Sequence, residues 1–189
     1  SDLASAVSES EEPGGRSMIF WDVATGKSRG RIPGTRAVFA GDGSVLAVQN
    51  GWRLELRDPV TLARLHSLLV REDLAAVGPD GGQVALESST ALAVVDVSTG
   101  RTVRRLAHRR GDLTHIRFSP NGARLLVAGT DGVVVWEVAS GRQVLRLARE
   151  AHYATVDASF SRDGRHILTG GAGPARIIDA ETGSEICTL

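Results

Sequence analysis

The chain has 189 residues, enough for one sizeable core or a short array of stacked units. Its 22 basic and 22 acidic residues cancel, which argues against long-range steering toward nucleic acid or an anionic membrane surface. The single cysteine, Cys187, excludes an internal disulfide framework and fits a reducing, cytoplasmic setting. No apolar stretch approaches the ~20 residues of a membrane-spanning helix.

The first residues, Ser1 to Ser17, lack a basic leader followed by an apolar segment and are not expected to be a secretion signal. Within them Leu3–Ala4–Ser5–Ala6–Val7 reads as a strand, and Ser8 to Ser17 as a long polar turn. From there an apolar run ending in an acid recurs five times. The runs end Phe20–Trp21–Asp22, Leu56–Arg57–Asp58, Val94–Val95–Asp96, Val135–Trp136–Glu137 and Ile177–Ile178–Asp179. Four continue into a near-identical turn: Ala24–Thr25–Gly26, Ser98–Thr99–Gly100, Ala139–Ser140–Gly141 and Glu181–Thr182–Gly183. The acids are spaced 36, 38, 41 and 42 residues apart (22 to 58, 58 to 96, 96 to 137, 137 to 179).

A second motif runs out of phase with the first. Phe39–Ala40–Gly41–Asp42–Gly43, Val77–Gly78–Pro79–Asp80–Gly81, Phe118–Ser119–Pro120–Asn121–Gly122 and Phe160–Ser161–Arg162–Asp163–Gly164 each place Asp-Gly or Asn-Gly between two apolar segments. That is a hairpin signal. After each acid-ended turn comes a segment alternating apolar with Arg or polar residues, such as Ala63 to Leu68 and Thr102 to Leu106, as expected for a strand with one face in water. Four short β segments per unit with a period near 40 predict one propeller blade per repeat.

In its order of Phe-Ser-Pro-Asp-Gly-like turn, apolar strand, Val-Trp-Asp-like strand, Thr-Gly turn and outer strand, the chain resembles the WD-repeat β-propeller family of bacterial type, across nearly its whole length. The repeat from Phe118 to Leu147 is nearest the pattern, keeping Phe118, Pro120, Gly122, Asp131, Gly132, Trp136 and the acidic Glu137. The family's Gly-His pair before the innermost strand is represented only by His152, with His108 a weaker match, so no repeat holds a complete polar network.

The expected fold is all-β: four-stranded antiparallel blades, with one blade lacking its first strand followed by four complete ones. The repeat units fall near 1–33, 34–70, 71–107, 108–149 and 150–189. The count predicts part of a larger seven- or eight-bladed ring, with self-association or a five-bladed closure as alternatives. Trp21 and Trp136 are expected in the core between blades. Trp52, in the turn after Gln49–Asn50–Gly51, and the Arg-rich connections carrying Arg71, Arg109, Arg110, Arg149, His152 and Tyr153 form a candidate recognition rim on one face.

Nucleophile elbows, Cys–His pairs and phosphate-cradling loops are missing, and the five histidines sit in different repeats without metal-ligand spacing. His115 with the nearby Asp112 reads as a local hydrogen bond. No catalytic residue, metal or cofactor is expected. The arginine-for-lysine bias (Lys27 is the sole lysine) with abundant Ala, Gly and Val suggests a GC-rich bacterial genome. The resemblance implies a non-catalytic scaffold that binds a protein or peptide through its loop face, within a larger bacterial protein. A central-channel enzyme or small-molecule binder and a purely structural or oligomerisation module are the alternatives.

Overall fold

Each acid-ended run terminates in the same hydrogen-bonded turn, and this local event sets the architecture. The carboxylate of Asp22 accepts the Thr25 N–H at 2.9 Å, Asp58 that of Thr61 at 2.6 Å, Asp96 that of Thr99 at 2.8 Å and Asp179 that of Thr182 at 2.7 Å. Glu137, one methylene longer, instead accepts the Ser140 hydroxyl at 2.6 Å. In all five the main-chain carbonyl of the acid also accepts the N–H four residues on, closing the chain back into an antiparallel strand.

The structure is a computed structural model that describes residues 5–12, 15–107, 113–129, 131–148 and 155–189. These form nineteen strands in five sheets. Sheet one has three strands, β1 (Ser5–Glu12), β2 (Gly15–Asp22) and β3 (Ser28–Pro33). Sheet two holds β4 (Arg36–Phe39), β5 (Leu46–Asn50), β6 (Arg53–Arg57) and β7 (Arg64–Leu69). In sheet three follow β8 (Asp73–Val77), β9 (Gln83–Glu87), β10 (Ala91–Asp96) and β11 (Thr102–Ala107). Sheet four is β12 (Leu113–Phe118), β13 (Arg124–Gly129), β14 (Gly132–Glu137) and β15 (Gln143–Ala148). The fifth is β16 (Thr155–Phe160), β17 (His166–Gly171), β18 (Arg176–Asp179) and β19 (Glu185–Thr188). All pair antiparallel in chain order, as blades whose inner strands β4, β8, β12 and β16 neighbour one another. The ring is partial.

The first sheet departs from expectation in one respect. Ser8 to Glu11 are not a turn: β1 runs on to Glu12 and pairs with β2 residue by residue, from Ser5 opposite Asp22 to Glu12 opposite Gly15. An alternation of Ser and Glu carries no apolar signal, yet the main-chain ladder continues past the core without one.

The described residues form no single core. Four separate apolar clusters fill the four seams between adjacent sheets, for example Met18, Phe20 and Ile32 against Leu46 and Val48, or Leu126, Val133 and Val135 against Ala158, Ile167 and Ile178. Register makes the rule explicit. The cross-strand row Arg117–Leu126–Val135–Leu145 of sheet four faces sheet five, and Leu126 is fully buried. The same row in sheet five is Ser159–Leu168–Ile177–Cys187; no described sheet follows it, and Leu168 is 44% exposed. Trp136 packs between sheets three and four as expected. Trp21, its counterpart in sheet one, instead lies half-buried on that sheet's outer face, its indole N–H donating to Ser8 Oγ at 2.8 Å, because no described sheet precedes it.

In sheets three, four and five the turn glycine four places after the acid also touches the preceding blade. A Cβ on Gly141 would stand 2.8 Å from Arg104 Cδ, and one on Gly183 2.5 Å from Leu145 Cδ1. Sheet two inverts the arrangement: Leu62 takes the left-handed conformation at φ 60, and the residue it reaches in sheet one is Gly30. Large and small have exchanged places across the seam.

Two predictions follow from the turns. Hydrogen bonding holds the four turn aspartates low: Asp22 falls from 3.8 to about 2, chiefly through the Arg29 guanidinium and then the Thr25 amide. Asp58 and Asp179 are lowered by the Thr61 and Thr182 amides, and Asp96 by the Ser98 hydroxyl. Stability from depressed carboxyls is fully present above their ordinary value and is lost as pH falls through the folded one. Thermal melts should therefore stay level from neutral pH down to about 5 and drop steeply below about 4; a melting temperature unchanged at pH 3 would refute this. In a double-mutant cycle by urea unfolding, Gly30→Leu alone should cost about 1–3 kcal/mol by overpacking against Leu62. The same change in a Leu62→Gly background should cost markedly less, and equal costs would refute the exchange.

Candidate partner-binding face

The turn between β5 and β6 and the connection from β7 to β8 meet on one face, and a single buried side chain joins them. Gln49, only 4% exposed, accepts the Leu74 N–H through Oε1 at 2.6 Å. Its Nε2 donates to Glu72 O at 2.9 Å and to Gly51 O at 3.2 Å. Its main-chain carbonyl accepts the Thr35 N–H at 2.7 Å, and the Val70 N–H donates to Trp52 O at 2.8 Å. A buried amide satisfied on both ends fixes loops that would otherwise be free to move.

On this fixed base Trp52 projects with 75% of its surface exposed. Near the same end of the blade Leu69 is 84% exposed; it pairs across the ladder with Arg53, the residue after Trp52. Arg71 follows Val70 and is also exposed. Trp52 and Arg71 stand on the two loops that the Val70–Trp52 main-chain bond joins. Arg109, Arg110, Arg149, His152 and Tyr153 lie outside the described residues. Leu69, Arg53 and Gln49 were missed in the sequence, although signals existed. A polar residue closing the apolar run Leu46–Ala47–Val48 marks a buried amide, and Leu68–Leu69–Val70 breaks the alternation of an outer strand.

Around the face the charges are largely committed. Glu55, 13% exposed at the side chain, receives Arg57 Nη2 at 2.5 Å and Arg64 Nη1 at 3.4 Å. Burial pushes its carboxyl up, but the two guanidinium groups outweigh burial and leave it below the ordinary value. Glu72 lies 3.7 Å from Arg105 Nη2.

The inner strands enclose a concavity of about 920 Å³, lined by Phe39, Val77, Phe118 and Phe160 with Arg117 and Arg162. His115 reaches both along its own strand and across to the next blade. Its Nδ1 lies 3.6 Å from Asp157 of the next blade, with Arg117 Nη2 at 3.5 Å; Asp112 lies outside the described residues. Among the described residues no group of three His, Cys, Asp or Glu side chains could hold a metal ion. No described helix is long and apolar enough to cross a membrane.

Replacing Gln49 by Leu should orphan the buried Leu74 N–H and destabilise the protein by about 2 kcal/mol in urea unfolding. Amide exchange should accelerate at Leu74 in the same variant, and an unchanged Leu74 rate would show that the loops are fixed by other means.

Comparison with known proteins agrees with this geometry. The family described as WD domain, G-beta repeat matches residues 100–136, which run from Gly100 through β11 of one blade and the three inner strands of the next. No curated protein matches in sequence. Among solved structures the fold is similar to a chain of the Kuenenia stuttgartiensis hydrazine synthase, with a TM-score of 0.68 and 19% identity. The match covers 92% of this chain and 59% of that one, and at this identity it speaks for the fold alone. With its five antiparallel sheets, the chain has the fold of a β-propeller whose ring is partial, and one stretch bridging two of those sheets is similar to the WD domain, G-beta repeat.

Proposed function

We propose that this propeller is a non-catalytic interaction scaffold that grips a protein or peptide through the face carrying Trp52, as the recruitment or regulatory part of a larger bacterial, cytoplasmic protein. One observation carries the reading: an almost fully solvated indole stands on a turn that a buried glutamine holds rigid. Exposing a large aromatic ring to water is unfavourable, and fixing its base lowers the entropy lost when a partner covers it. Tryptophan and arginine are the side chains most often found at the energetic centre of protein interfaces. The repeat class matched here generally serves protein–protein contacts, which supports the same conclusion. Arg109, Arg110, Arg149, His152 and Tyr153 belong to the same rim in this proposal, by their place in the connections between repeats.

The test is affinity capture with quantitative mass spectrometry, using lysate of the source cells. Changing Trp52, Arg71, Arg109, Arg110 and Tyr153 together to Ala should remove the specifically captured partner. Arg117→Ala, on the inner concavity, should leave it in place. Capture that survives the first set and fails with the second would transfer the function to the channel.

A further inference from the structure

Sheets two to five each end their inner strand at the same structural position, so the residues around it can be compared blade by blade. One place before the closing Phe39, Val77, Phe118 and Phe160 stand Val38, Ala76, Arg117 and Ser159. Two places after them, in the hairpin turn, stand Gly41, Pro79, Pro120 and Arg162. Strand and turn therefore form without a charge at either place. Arg117 and Arg162 break the repeat in the neighbouring blades four and five, and both border the concavity of about 920 Å³ enclosed by the inner strands. That space lies at the end of the inner strands opposite the end that carries Trp52.

The lining sets these two arginines against one carboxylate, Asp42, whose Oδ1 already accepts the Ser44 N–H at 2.8 Å. Among the described residues the Arg162 guanidinium makes no hydrogen bond or ion pair. Its sequence neighbour Asp163 instead accepts the Ser161 hydroxyl at 2.6 Å and the Arg165 N–H at 3.1 Å. Arg117 Nη2 lies 3.5 Å from His115 Nδ1, while Asp157 makes its 3.6 Å approach to that imidazole and forms no ion pair with Arg117. Phe118 and Phe160, on the same two inner strands, are half-buried and border the same space. A guanidinium presents a planar donor fork to phosphate or carboxylate. A concavity of this volume, with apolar walls and a few polar groups, is of the size that takes a small organic ligand.

We infer that the inner concavity is a second binding site, for a small organic anion whose phosphate or carboxylate groups meet Arg117 and Arg162 and whose apolar body lies against Phe118 and Phe160. The site is independent of the loop face. A nucleic acid fits less well, because the chain carries no net charge and two arginines in a bounded space are not a continuous basic groove.

Isothermal titration calorimetry tests the inference with 1-naphthyl phosphate and 1-naphthoate, against inorganic phosphate and 1-naphthol as the separated halves. At least one naphthyl anion should bind the unmodified protein about tenfold or more tighter than either half, and more weakly as salt rises. Arg117→Ser and Arg162→Pro give each position the residue that another blade carries there, so both variants should keep melting temperatures close to the original. Each should cost about tenfold or more in affinity for the naphthyl anion. Arg117→Glu with Arg162→Glu should abolish that binding and create binding of 1-naphthylmethylammonium, a gain that a misfolded variant cannot supply.

Binding of either naphthyl anion in this way supports the site, and the tighter of the two names the head group. Naphthyl anions held no more tightly than phosphate or naphthol, or affinities insensitive to both single substitutions, would overturn the inference. So would tighter binding of a Glu-rich peptide or of oligo-dT that is lost with the same substitutions, because the concavity would then serve a macromolecule.

Discussion

A carboxylate at the end of the third strand accepting an N–H three residues on is the interaction from which the rest of this protein follows. It is local and it recurs in every blade, with Asp22, Asp58, Asp96 and Asp179 making it through the main chain and Glu137 through a serine hydroxyl. By satisfying the turn from within, it lets the outer strand return at fixed register. It also sets the residue after the turn against the outer strand of the preceding blade, where Gly141 meets Arg104 and Gly183 meets Leu145. One short motif therefore ends a strand, begins the next and spaces two blades.

Because each seam is filled by its own apolar cluster, stability is distributed along the chain as a series of neighbour terms. Burying a leucine at such a seam is worth about 2 kcal/mol. Leu126 realises that gain against sheet five, while Leu168 at the matching position remains partly in water. Polar links reinforce the seams one at a time: Arg36 donates to Leu74 O at 2.5 Å, Arg124 to Ala180 O at 2.9 Å, and Arg104 to Ala139 O. These bonds span neighbouring blades only, and so does the Gln49 node. The face it stiffens inherits a rigid base without needing a closed ring.

That locality links structure to binding. The loops around Trp52 are tied together by the Gln49 side chain and by the main-chain bonds of Thr35 and Val70. Position is set by the buried Gln49 side chain and by main-chain bonds, which leaves the side chains of Trp52 and Arg71 in water.

Much of this was legible in the sequence, and what was legible was local. The acid and the Gly-type turn signal themselves because the turn's hydrogen bonds lie within four residues, so counting them counts blades. The three-stranded first sheet could be read because Met18 to Asp22 follows one apolar segment, not two. The polar half of β1 could not, since Ser8 to Glu12 gain their place only from pairing with Gly15 to Ile19. The turn with Leu62 looked like an exception and is not, because the glycine that accommodates it is Gly30 in another blade. Likewise His115 finds Asp157 across a seam, in the next blade. The sequence by itself determined strands, turns and their repetition, because those rest on hydrogen bonds between near neighbours. Only the tertiary structure decided which side chains share a seam and which stand in water together, because the residues that meet there are distant in sequence and adjacent only once the blades are stacked.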